Sequence, residues 1–324
     1  MKSTKRLVLM LALACFAALP LVGARAQGVA CTLADADCKL LAAAEANSGK
    51  LTSFQQDFTF TYTLGGVGGA APTNTTASGT GAFTGGMPAN MMSDPTAALG
   101  TIKASLDVTG TTNGASGQTS GKTQIIITDG TLYINDGTGW KARPMSELLQ
   151  RAMSSGPATP ASDSPALTLL GNPALVQGLM ALPNIKGIAT LAKEAGPDVD
   201  GVKTSAFVYN VDLPTLLNAP EFAAILSAAA SQMMGGTSGG GAIPVQMLTS
   251  LLKNPKLSLT RYVGDSDQLI HGVAVKFSGT LDLGGASSDI SLALDVKLSK
   301  IGQPFTIVAP VGSATMAAVA TATK

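Results

Sequence analysis

From Ile290 to Ser299 the chain alternates with a period of two. Ile290, Leu292, Leu294, Val296 and Leu298 are apolar, whereas Ser291, Ala293, Asp295, Lys297 and Ser299 are small or polar. Successive side chains of an extended strand point to opposite faces, so this run demands a sheet with one dry and one wet face. The same period governs Phe58, Phe60, Tyr62 and Leu64 at the end of Ser53 to Leu64, and Ile102, Ala104, Leu106 and Val108 after them. Leu257 and Leu259 open another such strand, and Val273, Val275 and Phe277 share a face with His271. One-sided alternation argues for antiparallel pairing.

Turn chemistry orders these strands. Lys122 to Thr128 carries Ile125-Ile126-Ile127, and Asp129-Gly130 then leads into Thr131 to Asn135. Asp-Gly between two such runs is a strong hairpin signal, and Asp136-Gly137 repeats the device before Trp140. Ser78 to Thr84 reads as a weaker strand after a turn-rich loop from Gly65 to Thr76. Ile185 to Ala195 and Val202 to Asp212 read as a strand pair turned at residues 197–201. Helices are expected at Asp35 to Asn47, Ser146 to Met153, Pro173 to Leu182, Leu213 to Leu217, Glu221 to Met234 and Val245 to Leu252. Strands at both ends with a helical block between them imply an α+β fold, and no repeat marks a solenoid or propeller.

The N-terminus reads as an export signal. Lys2, Lys5 and Arg6 precede an apolar run from Leu7 to Val22, and Ala24-Arg25-Ala26 offers a small-x-small cleavage triplet. Pro20 interrupts the run, which is shorter than the roughly 20 residues of a membrane span. The domain plan is therefore a cleaved signal at 1–26, one binding domain at 27–310 and a flexible tail at 311–324. A lipid anchor at Cys15 is the alternative, although Ala12 and Leu13 suit the positions before an acylated cysteine poorly. The chain has 21 basic and 20 acidic residues; removing the signal takes four basic residues and no acid, leaving a net charge of −3. Such a balance gives nucleic acid no long-range attraction. Cys31 and Cys38 are the two remaining cysteines, and an even count in an oxidising compartment predicts a disulfide.

Catalytic signals are sparse. His271 is the single histidine and has no evident partner in the sequence, which leaves a zinc site without its usual ligands. No Gly-x-Ser-x-Gly elbow is present. Ser116 to Thr123 imitates a phosphate loop, but a serine replaces the first glycine and a strand follows instead of a helix, so it reads as a loop. Asp198, Asp200, Asp265 and Asp267 stand beside Gly201 and Gly264 like turn residues. The expectation is a non-enzymatic protein with no metal and no cofactor.

Apolar surface, by contrast, is in surplus. Glu221 to Met234 has one charge, at its first position, and Met145, Met153, Met180, Met233, Met234 and Met247 lie in or beside the helical block. Helices of this kind are buried on nearly all sides or border a cavity, and thioethers adapt to irregular apolar partners. On composition alone, an ordinary packed core remains the commoner outcome.

The passage Gly130-Thr131-Leu132-Tyr133-Ile134-Asn135-Asp136-Gly137-Thr138-Gly139-Trp140-Lys141 resembles a hairpin of the LolA/LppX-type bacterial envelope proteins (the LppX/LprG type included). Asp200-Gly201-Val202-Lys203-Thr204 before Tyr209-Asn210-Val211-Asp212 is similar to a second segment of theirs, and the strands Leu269 to Phe277 and Ile290 to Pro310 to a third. The likeness runs over most of Leu51 to Pro310. It implies a strongly curved antiparallel half-barrel with helices covering the concave face and an acyl-chain cavity between them. Members carry lipoproteins, glycolipids or complex lipids across the envelope, and some are envelope sensors. The expected ligand is thus a lipid or acyl chain, with lipoprotein cargo or an envelope protein as partner and transient membrane association. Expected cavity residues are Phe58, Phe60 and Tyr62, with Leu292, Leu294 and Val296, and from the helical lid Leu149, Met153, Met180, Leu226, Met233 and Met247. The alternative on the same fold is a sensor or interaction domain with a filled core. Two departures stand out: the lipobox cysteine common in the LppX branch is missing, and no arginine is assigned to the cavity.

Overall fold

The computed structural model describes residues 31–48, 50–66, 71–85, 100–115, 117–147, 187–218, 251–282, 286–312 and 314–315. In chain order these form helix α1 (Asp35–Ser48), strands β1 (Ser53–Leu64), β2 (Thr73–Thr84), β3 (Lys103–Gly114), β4 (Gly117–Thr128), β5 (Thr131–Asn135), β6 (Trp140–Pro144), β7 (Ala189–Ala195) and β8 (Thr204–Val211), then helix α2 (Leu213–Asn218), and strands β9 (Leu252–Gly264), β10 (Ile270–Asp282), β11 (Ser287–Ser299) and β12 (Ala314–Thr315). The expected signal and the helices at Pro173 to Leu182 and Glu221 to Met234 lie outside the described residues, as do most of Ser146 to Met153 and Val245 to Leu252; Leu252 itself opens β9. Among the described residues no helix is long and apolar enough to cross a membrane.

All the strands join one sheet in the order β12-β6-β5-β4-β3-β2-β1-β11-β10-β9-β8-β7. It consists of two antiparallel meanders, β1 to β6 and β7 to β11, and the first strand of one pairs with the last of the other. The two-residue β12 adds a parallel rung on β6. Eleven antiparallel strands without closure are consistent with a curved half-barrel, because twisted sheets of this breadth curl.

The register explains how one face stays dry across the whole sheet. Phe58 of β1 pairs with Val296 on one side and Gly79 on the other, and Phe60 pairs with Leu294 and Ala77. Val296 and Leu294 pair in turn with Val273 and Val275. Of these, Phe58, Phe60, Ala77, Val273 and Val296 join Phe54, Phe83, Leu106, Val108, Ile125, Phe207 and Val263 in one buried cluster, to which Leu41 and Ala44 of α1 also belong and against which Leu294 packs. Glycines in β2 make room for it. A Cβ at Gly79 would stand 2.6 Å from Phe58 Cε1 and strike the Asp107 carbonyl. Gly79→Ala is therefore expected to destabilise the fold by about 1–3 kcal/mol through overpacking, read as an earlier midpoint in chemical denaturation.

Turns follow their residues. Asp129 (φ 50°) and Gly130 (φ 69°) make the two-residue loop between β4 and β5, as the Asp-Gly signal predicts. Asp200 (φ 52°) and Gly201 (φ 78°) turn between the reciprocally bonded Val199 and Val202. Two expectations need correction. The loop drawn from Gly65 to Thr76 ends sooner, since Thr73 already pairs with Leu64. The phosphate-loop look-alike is strand rather than loop from Gly117 onward, pairing residue by residue with β3, and Lys122 meets Asp107 across it. The strand pieces Thr73 to Thr76 and Gly117 to Gly121 consist of threonine, serine, glycine and amides. They lack the apolar half of an alternation, yet β-branched threonine suits an exposed strand.

Cys31 and Cys38 are joined in a disulfide that ties the first turn of α1 to the chain before it. Asp37 of α1 meets Lys193 of β7 at 2.5 Å, and Asn47 donates to the Gln268 carbonyl in the β9–β10 turn, which seats the helix over this half of the sheet.

Candidate functional site

Six of the expected cavity residues come from β1 and β11, and the structure sets them opposite each other. Phe58 faces Val296, Phe60 faces Leu294, and Tyr62 faces Leu292. Their burial is graded along the strands. Phe58, Val296 and Phe60 are buried, whereas Leu294, Leu292 and Tyr62 are half-buried and pack against the edge of the cluster. Leu64 and its partner Ile290 continue the row, also half-buried. The remaining six, Leu149, Met153, Met180, Leu226, Met233 and Met247, lie outside the described residues.

Two helices cover part of this face. α1 lies against β9 and β10, where Val263 and Ile270 are completely buried, as is Phe207 on the neighbouring β8. α2 supplies Leu213 and Leu216, which with Ile188 form a second small cluster packed on Val211, Leu257 and Phe277. Leu257 and Phe277 are cross-strand partners, and Phe277 pairs onward with Leu292. The apolar row therefore extends from the base of α2 to the Tyr62–Leu292 pair.

Polar groups on this face were not foreseen. Arg261 pairs with Val273 and Phe207, hence stands among the apolar residues, and is only 3% exposed. Its guanidinium is ion-paired to Glu45 of α1 and lies 5.3 Å from the Tyr209 ring centroid, a cation–π arrangement. Burial pushes the Tyr209 phenol above its ordinary pKa, and the Arg261 charge opposes that push. An arginine on the apolar face thus corrects the expectation that none reaches it. The signal was available, because Arg261 has the parity of Leu257, Leu259 and Val263.

His271 also has a partner, contrary to the sequence reading: its Nε2 is 2.8 Å from Asp267 Oδ2, with the ring buried. Asp267 Oδ1 accepts from the Leu269 amide, and Ser205 Oγ donates to Asp265 Oδ1 at 2.6 Å. The serine hydroxyl is directed to Asp265 rather than to the imidazole. Histidine and both aspartates together brace the β9–β10 turn.

The opposite face carries the polar half of each alternation. Tyr262 lies beside Gly272, where a Cβ would come within 2.9 Å of its ring, and its hydroxyl donates to Asp295 Oδ2 at 3.0 Å. Burial, and then the Asp295 carboxylate, push its pKa up to about 12. Since this is above the ordinary value of 10.0, the protonated phenol is the form that the fold favours. Its contribution is full below pH 10 and disappears as pH rises through about 12. Ultraviolet titration of the four tyrosines should show a late-ionising phenol that Tyr262→Phe removes.

A hollow of about 640 Å³ opens on this polar face, between outward positions such as Thr61, Asn210, Ser258 and Lys276. Val211, Leu257, Phe277 and Leu292 of the apolar row also contribute to its lining, Leu292 being the one expected cavity residue among them.

No protein-family model matches the chain, and no curated protein does. Among solved structures, one of lipovitellin and its lipid–protein interactions aligns with 81% of this chain at 11% identity and a TM-score of 0.32. The chain spans about a quarter, 26%, of that protein. A DUF1329 family protein from Desulfovibrio piger aligns at 8% identity and a TM-score of 0.21, over 84% of this chain and 94% of that one. A beta-barrel-like DUF1849 protein from Brucella abortus aligns at 9% identity and 0.16, over 76% and 99%. Likeness at this level assigns nothing to the chain beyond itself.

Proposed function

We propose that the mature chain, residues 27–324 after removal of an export signal at 1–26, is a non-enzymatic carrier whose domain at 27–310 binds a lipid or lipidated molecule against the apolar face of its sheet. This is the activity implied by the resemblance to the LolA/LppX-type proteins. The observation that carries the reading is the graded row on β1 and β11. Its apolar side chains continue past the region packed by α1 and α2 to the half-buried Tyr62, Leu292 and Leu294. A hydrocarbon laid along that row is stabilised by burial alone. At about 0.8 kcal/mol per methylene, eight buried methylenes contribute roughly 6 kcal/mol before the entropic cost of association. Leu149, Met153, Met180, Leu226, Met233 and Met247 are assigned to the lid over this ligand.

Solvent extraction of the purified chain followed by mass spectrometry tests the reading. A retained lipid, and exchange of that lipid for added acyl probe, are the expected results. A chain that retains nothing and ignores every acyl probe supports instead an interaction or sensor domain with a filled interior. The complete burial of Val263 and Ile270 on the strands that α1 contacts is the observation that favours this second reading.

A further inference from the structure

The hollow on the polar face has a floor of small residues. Ser258, Ala293, Ser278 and Ser291 stand on three neighbouring strands, where longer side chains would fill the space. Two lysines rise from this floor. Lys256 pairs with Ser278 and Lys276 with Ser258, so the two occupy a diagonal of the β9–β10 ladder, about 7–8 Å apart at the backbone. Both are exposed, and neither is ion-paired among the described residues, whereas Lys39, Lys103, Lys122, Lys141 and Lys193 each meet an aspartate. The carboxylates on the polar face of β11 have other partners: Asp289 accepts from Thr280 Oγ1 at 2.8 Å and Asp295 from Tyr262. No carboxylate lines the hollow among the described residues.

Two like charges on one diagonal repel, and a doubly charged oxyanion between them reverses the sign of that interaction. Hydroxyls of Ser258, Ser278 and Thr61 and the Asn210 amide add neutral donors around the same space. We propose that this hollow is a binding site for a phosphate group, on the face of the sheet opposite the apolar row. The net charge of −3 expected once residues 1–26 are removed gives such an anion no long-range steering, so recognition rests on the two ammonium groups at contact range. The site does not rest on the lipid reading, since its two lysines and its hydroxyls belong to the other half of each alternation, although Val211, Leu257, Phe277 and Leu292 of the apolar row share its lining.

The test uses the mature chain and two probes. Inorganic phosphate is titrated calorimetrically at low ionic strength, and vesicles of phosphatidylglycerol or phosphatidylcholine are co-sedimented in parallel. The expected result is binding of phosphate, of phosphatidylglycerol vesicles, or of both, weakened about ten-fold or more in the Lys256→Ala/Lys276→Ala variant and restored by Lys256→Arg/Lys276→Arg. Binding of free phosphate identifies a soluble ligand; binding of anionic vesicles alone identifies a headgroup. The proposal is overturned if neither probe binds, or if the alanine variant binds as well as the parent. Because both lysines are exposed, the variant is expected to fold, and a circular dichroism spectrum and thermal melt unchanged from the parent verify that separately.

Discussion

Leu294→Arg is expected to weaken acyl-chain binding by about 100-fold or more while the chain stays folded. Leu294 is half-buried between Phe60 and Val275 in the middle of the apolar row, so a charge there lies in the path of any hydrocarbon laid along it. Pressing an alkyl chain against an unpaired guanidinium costs at least 2–3 kcal/mol on the usual scale, which is about the stated factor. Partial exposure lets the arginine reach water in the empty protein, so the penalty falls on the complex rather than the fold. Thr59→Arg on the exposed face of β1 supplies the control: its partner Asp295 lies on the polar side, and no loss of binding is expected. Fluorescence titration with a dansyl fatty acid reads both variants, with circular dichroism for the fold. Equal affinity of Leu294→Arg and the parent would move the ligand off this row.

Arg261→Ala is expected to be the most destabilising single replacement, at about 3–5 kcal/mol. The guanidinium is buried beneath α1, so its loss leaves the Glu45 carboxylate, mostly buried, without its counter-ion, and removes the cation over the Tyr209 ring. For a chain of this size such a change lowers the melting temperature by roughly 10 °C. Arg261→Met combined with Glu45→Leu should recover most of the loss, because burying an ion pair gains little over well-packed apolar groups. Thermal melts of the parent, the single variant and the pair decide it. A double variant as unstable as the single one would place the cost in packing rather than in the orphaned charge.

The fold was legible wherever one side of a strand is apolar. The parity of Ile290 to Leu298 and of Phe58 to Leu64 predicted the two strands at the centre of the sheet, and Asp129-Gly130 predicted its hairpin. Legibility failed where the dry face is built from glycine and threonine. In β2 the residues beneath Phe58 and beside Gln56 are Gly79 and Gly81, small because the neighbouring side chains need their space, so the alternation has no apolar partner to announce it. At the β3–β4 tip, Thr112 and Thr119 face each other and both sides are polar. The pairing between the two meanders was not readable: β1 and β11 join residues more than two hundred positions apart, and no local pattern encodes it. That the β1 and β11 residues share one face was legible through parity alone. Arg261 and the His271–Asp267 pair were missed because their partners, Glu45 on a distant helix and an aspartate in a turn, are defined by tertiary contact.

Photo-crosslinking reads where a hydrocarbon lies on the sheet. A diazirine-bearing fatty acid irradiated with the mature chain, followed by peptide mass spectrometry, should place adducts on the peptides holding Tyr62, Leu292 and Leu294. Adducts confined to outward positions such as Thr59, Thr61 or Lys276, or no adducts at probe concentrations that saturate known acyl-binding proteins, would contradict it.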